Sequence, residues 1–184
     1  MLHQSTTSSK APAHNVGLQL RGWSARMQAC WNLFSSHCPQ ALQENWSVAD
    51  YGCGTQELAQ LIPKNWVYAG YDQLDRGQAT APLDLSRDWP EHQTPDLGVM
   101  LGVLEYLPNN HEVLAKLIAG SRYSLFSCNG SFSPLRVLRE GWCWSRPSPR
   151  QIHQIIRNCG AQLLAHQPWR QGCGLWLCQH PNPA

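Results

Sequence analysis

Residues 97–104, with the sequence Leu-Gly-Val-Met-Leu-Gly-Val-Leu, form an unbroken apolar run. A strand with one face in water alternates apolar and polar residues, whereas a strand covered on both faces does not need to alternate. Strands of the second kind belong to parallel sheets that lie between layers of helices. The run therefore predicts an α/β fold with a Rossmann-like, mainly parallel sheet and helices on both faces.

Further strands are predicted where short apolar segments are rich in aromatic and β-branched residues. These segments are residues 48–51, 66–72 and 123–128, with a shorter candidate at residues 81–85. Two last segments, residues 161–166 and 175–178, follow one another closely and predict a C-terminal antiparallel hairpin.

Helices are predicted where apolar residues recur every three or four positions. The candidate segments are residues 18–34, 55–62 and 111–119, and a further helix that begins after Ser148. Ser148 can cap that helix, Pro149 suits its first position, and Gln151 completes a capping box.

Composition excludes several classes of protein. The chain has 184 residues and a formal net charge of +2, without a run of Lys or Arg, so neither nucleic acid nor an anionic membrane is expected as a partner. We expect a flexible tail over residues 1–16 and a single domain over residues 17–180. No secretory signal and no apolar stretch of membrane-spanning length is present, so the expected location is the cytoplasm. The eight Cys lack the spacing of a disulfide framework or a zinc site, so we expect reduced thiols and no metal.

A glycine turn follows the first predicted strand, in the segment Asp50-Tyr-Gly-Cys-Gly-Thr55. In open α/β sheets, ligands bind beyond the carboxyl ends of the strands. The second strand ends at Asp72, which comes 20 residues after Gly52. The glycines allow a ligand to approach the backbone closely, and an acid at that distance can accept hydrogen bonds from ribose hydroxyls. Together they predict an adenosine ligand.

Phosphorylated ligands fit this turn poorly. A triphosphate loop needs Gly-x-x-x-x-Gly-Lys-Ser/Thr, and the turn has no Lys. A dinucleotide loop needs Gly-x-Gly-x-x-Gly, and Glu57 stands at the third glycine position. Its carboxylate would repel a pyrophosphate, so the turn favours an adenosine ligand without phosphates.

Four segments, in order and spacing, resemble the class I S-adenosylmethionine-dependent methyltransferases. Asp50-Tyr-Gly-Cys-Gly-Thr55 resembles the first motif of that family, Tyr71-Asp72 the acidic end of the second strand, and Leu83-Asp84-Leu85 the adenine-binding segment. Residues 95–107 resemble the fourth strand and its following turn. The helix after Ser148 and the closing hairpin resemble the C-terminal end of the family, so the likeness covers roughly residues 48–179.

The resemblance implies S-adenosylmethionine as cofactor and a role for each matching residue. Asp72 would hold the ribose, Asp84 the adenine amino group, and Leu85 would lie against the adenine ring. Asp50 would brace the turn. The backbone of Gly52 and Gly54 would lie against the methionine part of the cofactor, and the backbone of Leu101 and Gly102 would lie near its amino group.

Some features depart from the family pattern or stay open. Gln56 stands where the family often has a small residue. The intervals between Asp72 and Asp84 and between residues 85 and 96 leave little room for crossover helices, so we expect a trimmed version of the fold. Glu105 and Tyr106 are weak catalytic candidates that are equally compatible with the start of a solvated loop. Trp142 and Trp144 would line an acceptor pocket or pack in the core.

The predicted activity is methyl transfer from S-adenosylmethionine to a small-molecule or sugar-like acceptor. Two other functions stay open: a non-catalytic S-adenosylmethionine-binding accessory protein, and an NAD-dependent oxidoreductase, against which Glu57 argues.

Overall fold

The computed structural model describes residues 16–75, 80–90, 94–129 and 146–183, without the side chains of residues 16–23 and 171. Residues 1–15 of the predicted tail therefore lie outside the described residues, and a helix already begins at Val16.

The described strands form one sheet of seven members in the order β3-β2-β1-β4-β5-β7-β6. Its five parallel strands β1 to β5 are Ser47–Tyr51, Val67–Asp72, Ala81–Pro82, Leu97–Leu101 and Tyr123–Asn129. The last two, β6 (Gln162–Pro168) and β7 (Cys173–Gln179), pair antiparallel to each other, and β7 pairs antiparallel to β5. The predicted mainly parallel sheet with a C-terminal antiparallel hairpin is confirmed.

Helices cover both faces of the sheet. Helix α1 (Val16–His37) packs on the face that carries alternate residues of β4 such as Leu97 and Val99. Helices α2 (Asn110–Ala119) and α3 (Pro149–Asn158) pack on the other face, together with Met100. Because the central strands are covered on both sides, β4 needs no polar residue, as the apolar run predicted.

The face under α1 is filled largely by aromatic side chains. Phe34 of α1 lies 5.8 Å from Trp46 and 6.0 Å from Trp66, measured between ring centroids, and these two indoles stack at 5.3 Å. Trp46 and Trp66 come from the segments just before β1 and β2. These large rings therefore fill much of the core between α1 and the sheet.

The crossovers between β1 and β4 are short, as a trimmed fold requires. Within the described residues, none of these connections contains an α-helix. The predicted helix at residues 55–62 is wrong: only a single 3₁₀ turn forms, over Glu57–Gln60. Gln56 has φ +57°, a left-handed conformation that an α-helix cannot include, and Pro63 prevents extension.

Two strands end earlier than predicted. The short strand stops at Pro82, because the chain turns at Asp84, whose carbonyl accepts from the N–H groups of Arg87 and Asp88. Strand β4 stops at Leu101, because Gly102 has φ +71°. A left-handed residue at this position turns the chain away from the sheet.

The C-terminal part follows its local sequence signals. Ser148 caps α3, with the predicted capping box to Gln151 present in both directions, and Gly160 follows the helix with φ +71°. The described cysteines are free thiols, Cys159 half-buried and the rest buried: Cys30, Cys38, Cys53, Cys128, Cys159, Cys173 and Cys178. In the part of the chain that the structure covers, no helix is long and apolar enough to cross a bilayer.

Candidate functional site

A cavity of about 250 Å³ opens where the carboxyl ends of β1, β2 and β4 meet. It contains every residue that the sequence predicted for cofactor binding: Asp50, Gly52, Gly54, Asp72, Asp84, Leu85, Leu101 and Gly102. Parallel strands bring these positions to one edge of the sheet, although they are distant in the chain.

The glycine turn after β1 is held by β2. The N–H groups of Gly52 and Cys53 both donate to the Tyr71 carbonyl, at 2.7 and 3.0 Å, and the Gly54 N–H donates to Oδ2 of Asp72 at 2.9 Å. Three successive N–H groups are therefore used within the protein. The turn can lie close to a ligand, but these groups are not left to cradle a pyrophosphate as in a dinucleotide loop.

Gly52 fits this turn for two reasons. Its φ of +76° is costly for residues with a Cβ. A Cβ at this position would also collide with the Cγ2 methyl of Val103. The segment after β4 thus packs directly against the turn after β1, and the pair forms one wall of the cavity.

Asp72 supports the turn and still faces the cavity. Its Oδ2 accepts from Gly54 and its Oδ1 accepts from the N–H of Leu74 at 3.0 Å. A carboxylate offers about four lone-pair positions, so two internal bonds leave acceptor capacity for ligand hydroxyls.

Asp50 is buried at the base of the cavity, 5% exposed, and accepts a 2.7 Å hydrogen bond from the Tyr68 hydroxyl. Burial raises the pKa of its carboxyl to about 7, against the lowering effect of the Tyr68 bond, and the negative charge of Asp72 raises it further. The turn itself is braced by Tyr71 and Asp72, so Asp50 connects β1 to β2 through Tyr68.

Asp84 and Leu85 lie in the loop after β3. Oδ1 of Asp84 accepts from the hydroxyl and the N–H of Ser86 at 2.6 and 3.0 Å. These bonds, with the nearby Arg87, lower the pKa of the Asp84 carboxyl, so it is anionic at neutral pH. Leu85 is buried and joins the core on the α2 side.

Sequence reasoning missed Arg26 and Met27, which α1 places in the cavity wall. Arg26 is only 8% exposed and lies one and two turns before the buried residues Cys30 and Phe34. A charged residue in phase with the buried face of an amphipathic helix was the available signal. Glu57 also lines the cavity and accepts a 3.1 Å bond from the Ser24 hydroxyl of α1.

The two weak catalytic candidates occupy different environments. Tyr106 lines the cavity and is half exposed, whereas Glu105 is buried and accepts a 2.7 Å bond from Nδ2 of Asn129. Burial raises the pKa of Glu105, and the positive charges of Arg26 and Arg146 oppose that effect.

The predicted pocket residues Trp142 and Trp144 lie outside the described residues. Over the described ranges, no group of His, Cys, Asp and Glu could hold a metal ion.

The fold of this chain resembles those of several solved methyltransferase structures. No family model and no curated protein matches the chain. Among solved structures, magnesium protoporphyrin IX methyltransferase from Synechocystis with bound S-adenosylhomocysteine superposes with a TM-score of 0.66 at 15% identity, over 94% of this chain and 90% of that one.

Two further structures agree. A 1,6-didemethyltoxoflavin-N1-methyltransferase from Burkholderia thailandensis gives a TM-score of 0.63 at 13% identity, over 89% of this chain and 81% of that one. An S-adenosylmethionine-dependent methyltransferase from Mesorhizobium loti gives 0.62 at 11% identity, over 78% and 98%. The chain has the class I S-adenosylmethionine-dependent methyltransferase fold.

The methyltransferase fold accounts for where the cavity lies. The glycine turn after β1, the acid at the end of β2 and the segment after β4 meet at the edge where open α/β sheets bind ligands. At identities of 11% to 15% the likeness concerns the fold, so the function is argued from the residues of the cavity.

Proposed function

We propose that the protein binds S-adenosylmethionine in the cavity and transfers its methyl group to a small-molecule acceptor. The glycine turn carries the proposal, because it lies against the cavity while its N–H groups bond to β2. Asp72, with spare acceptor capacity, stands beside it. This combination suits an adenosine ligand that has ribose hydroxyls and no phosphates.

The charges of the cavity also fit this ligand. The lining contains four acidic residues and, among the described residues, one Arg or Lys: Asp50, Glu57, Asp72 and Asp84, with Arg26. S-adenosylmethionine has a cationic sulfonium, a cationic amine and one carboxylate, whereas NAD carries an anionic pyrophosphate and ATP an anionic triphosphate. Excess negative charge favours the first over the other two.

The predicted cofactor-binding residues other than Asp50 receive direct roles in this proposal. Gly52, Gly54 and the Leu101–Gly102 backbone border the methionine part, and Asp72 accepts hydrogen bonds from the ribose. Asp84 and Leu85 border the adenine. When bound, S-adenosylmethionine supplies an activated methyl group, and the protein's part is to orient the acceptor and exclude water.

A small molecule is the proposed acceptor. The chain has a net charge of only +2 and no run of Lys or Arg. Its one local concentration of arginines is formed by Arg136, Arg139, Arg146 and Arg150. This group lacks the accompanying aromatic signature of an RNA-binding segment, so the usual attraction to phosphate backbones is weak. Two structures of the same fold are named for small substrates, magnesium protoporphyrin IX and 1,6-didemethyltoxoflavin. We further propose that Tyr106, which lines the cavity, contacts the acceptor, and that residues 17–180 form a single domain.

We expect S-adenosylmethionine and S-adenosylhomocysteine to raise the unfolding temperature, and NAD and ATP at equal concentration to leave it unchanged. A ligand at 100 times its dissociation constant stabilises a protein by about 2.7 kcal/mol. Thermal unfolding with the four compounds measures this. Stabilisation by NAD alone would end the proposal. Binding without methyl transfer across a panel of small acceptors would favour the accessory role.

We expect Asp72→Ala to weaken S-adenosylhomocysteine binding by about 1–3 kcal/mol, because ribose hydroxyls lose a charged acceptor. The substitution also removes two acceptors of backbone N–H groups, so some loss of stability accompanies it. Calorimetry on the folded variant separates the two effects. Asp88→Ala, an exposed acid of the loop after β3, is the control. Equal affinity in Asp72→Ala and wild type would assign the ribose contact to another residue.

A further inference from the structure

Arg26 is a buried cation that closes the cavity from the side of α1. Its guanidinium lies so close to Gly102 that a Cβ there would come within 2.6 Å of Cζ and 2.7 Å of Nη1. Gly102 also has φ +71°. The end of β4 therefore admits this side chain because it carries none of its own.

Among the described residues, the charge of Arg26 has no direct counter-ion. Within the described part of the chain, no carboxylate oxygen lies within 4.0 Å of an Arg26 nitrogen. The Cys173 thiol donates to the Gly174 carbonyl, and burial raises its pKa, so it stays neutral and supplies no negative charge to Arg26. Burial raises the pKa of Glu105 more than the charge of Arg26 lowers it, and Oε1 of Glu105 accepts its hydrogen bond from Nδ2 of Asn129. A buried guanidinium has five donors and costs free energy unless an anion pairs with it.

Position within the cavity indicates which anion pairs with it. Gly102 and Val103 follow β4, and Val103 packs on Gly52, so Arg26 stands at the glycine-turn end of the cavity. Asp84 and Leu85, the proposed adenine residues, belong to the loop after β3. The carboxylate of a ligand whose adenosine is held by Asp72 and Asp84 would extend toward Arg26.

We propose that Arg26 binds the carboxylate of the amino-acid part of S-adenosylmethionine. A guanidinium fork matches a carboxylate with two parallel hydrogen bonds, which Lys cannot reproduce. The inference rests on the proposed function, because it assigns a residue to the same ligand. A carboxylate of the methyl acceptor is the other source of such an anion, and the experiment separates the two.

The test compares two ligands that differ only at the amino-acid end. S-adenosylhomocysteine has the carboxylate, whereas 5′-methylthioadenosine has the adenosine and sulfur without the amino-acid group. Calorimetry measures both on wild type, Arg26→Met, Arg26→Lys and the exposed control Arg157→Met. Arg26→Met removes the charge but keeps an apolar stem, and binding of 5′-methylthioadenosine reports whether the adenosine end of the cavity is intact.

We expect Arg26→Met to weaken S-adenosylhomocysteine about 10- to 100-fold, with 5′-methylthioadenosine within about twofold of wild type. Arg26→Lys should fall between, and Arg157→Met should change neither ligand. Equal losses for both ligands would overturn the inference in favour of a structural role. Unchanged S-adenosylhomocysteine affinity would overturn it in favour of an acceptor carboxylate. If wild type binds neither ligand, the proposed function itself fails.

Discussion

Asp50→Asn is expected to raise the free energy of unfolding by up to about 4 kcal/mol at pH 8. The pKa of Asp50 is about 7 in the folded protein against an ordinary value of 3.8, and one unit corresponds to about 1.4 kcal/mol. The folded state thus holds the proton more tightly than the unfolded state. Ionisation of Asp50 therefore lowers the free energy of unfolding. This destabilisation is complete above pH 7, shrinks as the pH falls, and is absent below pH 3.8.

Asparagine removes this charge while its side-chain oxygen can still accept from Tyr68. Urea unfolding without ligand, at pH 8 and pH 5, measures the effect. The stability gain of the variant should fall from about 4 kcal/mol to about 2 kcal/mol between these pH values.

Asp84→Asn is the matched control, because the pKa of Asp84 is shifted in the opposite direction. Its ionised form is favoured in the folded state, so that substitution should lower stability at neutral pH and lose its effect in acid. A difference between Asp50→Asn and wild type that does not change with pH would show that Asp50 is not a buried anion.

Gly52→Ala is expected to destabilise the protein more than Gly160→Ala by about 1–3 kcal/mol. Both glycines have positive φ, +76° and +71°, so both substitutions incur a left-handed cost of about 1–2 kcal/mol. A Cβ at Gly160 meets no atom within 4 Å, whereas a Cβ at Gly52 collides with Val103. The extra cost is that of overpacking.

Denaturant unfolding of both variants measures this difference. Adding Val103→Ala to Gly52→Ala should recover most of the steric part, and a double-mutant cycle isolates it from the lost packing of Val103. Equal costs at Gly52 and Gly160 would mean that the segment after β4 moves away from the turn without penalty.

Much of the fold was predictable because its signals are local. The apolar run of β4 required cover on both faces, and that cover is present. The capping box at Ser148 formed as expected, since it involves only neighbouring residues. The spacing of Gly52 and Asp72 placed both at the carboxyl edge of the sheet, where they line one cavity.

Other predictions failed where tertiary contacts override local preference. Residues 55–62 have helical spacing, yet the turn after β1 holds Gln56 at φ +57° and only one 3₁₀ turn follows. The pattern also could not say which Trp residues pack together. Trp46 and Trp66 stack because β1 and β2 are neighbours in the sheet.

The sequence alone established the α/β class, the glycine turn and the acid after β2, and it led to the proposal of an adenosine ligand. Only the tertiary structure decided that Asp72 braces the turn, that Asp50 is buried beneath it, and that Arg26 covers Gly102. Periodicity and spacing report which residues are buried and which face they share. They do not report which group a buried charge meets, because that contact joins elements that are distant in the chain.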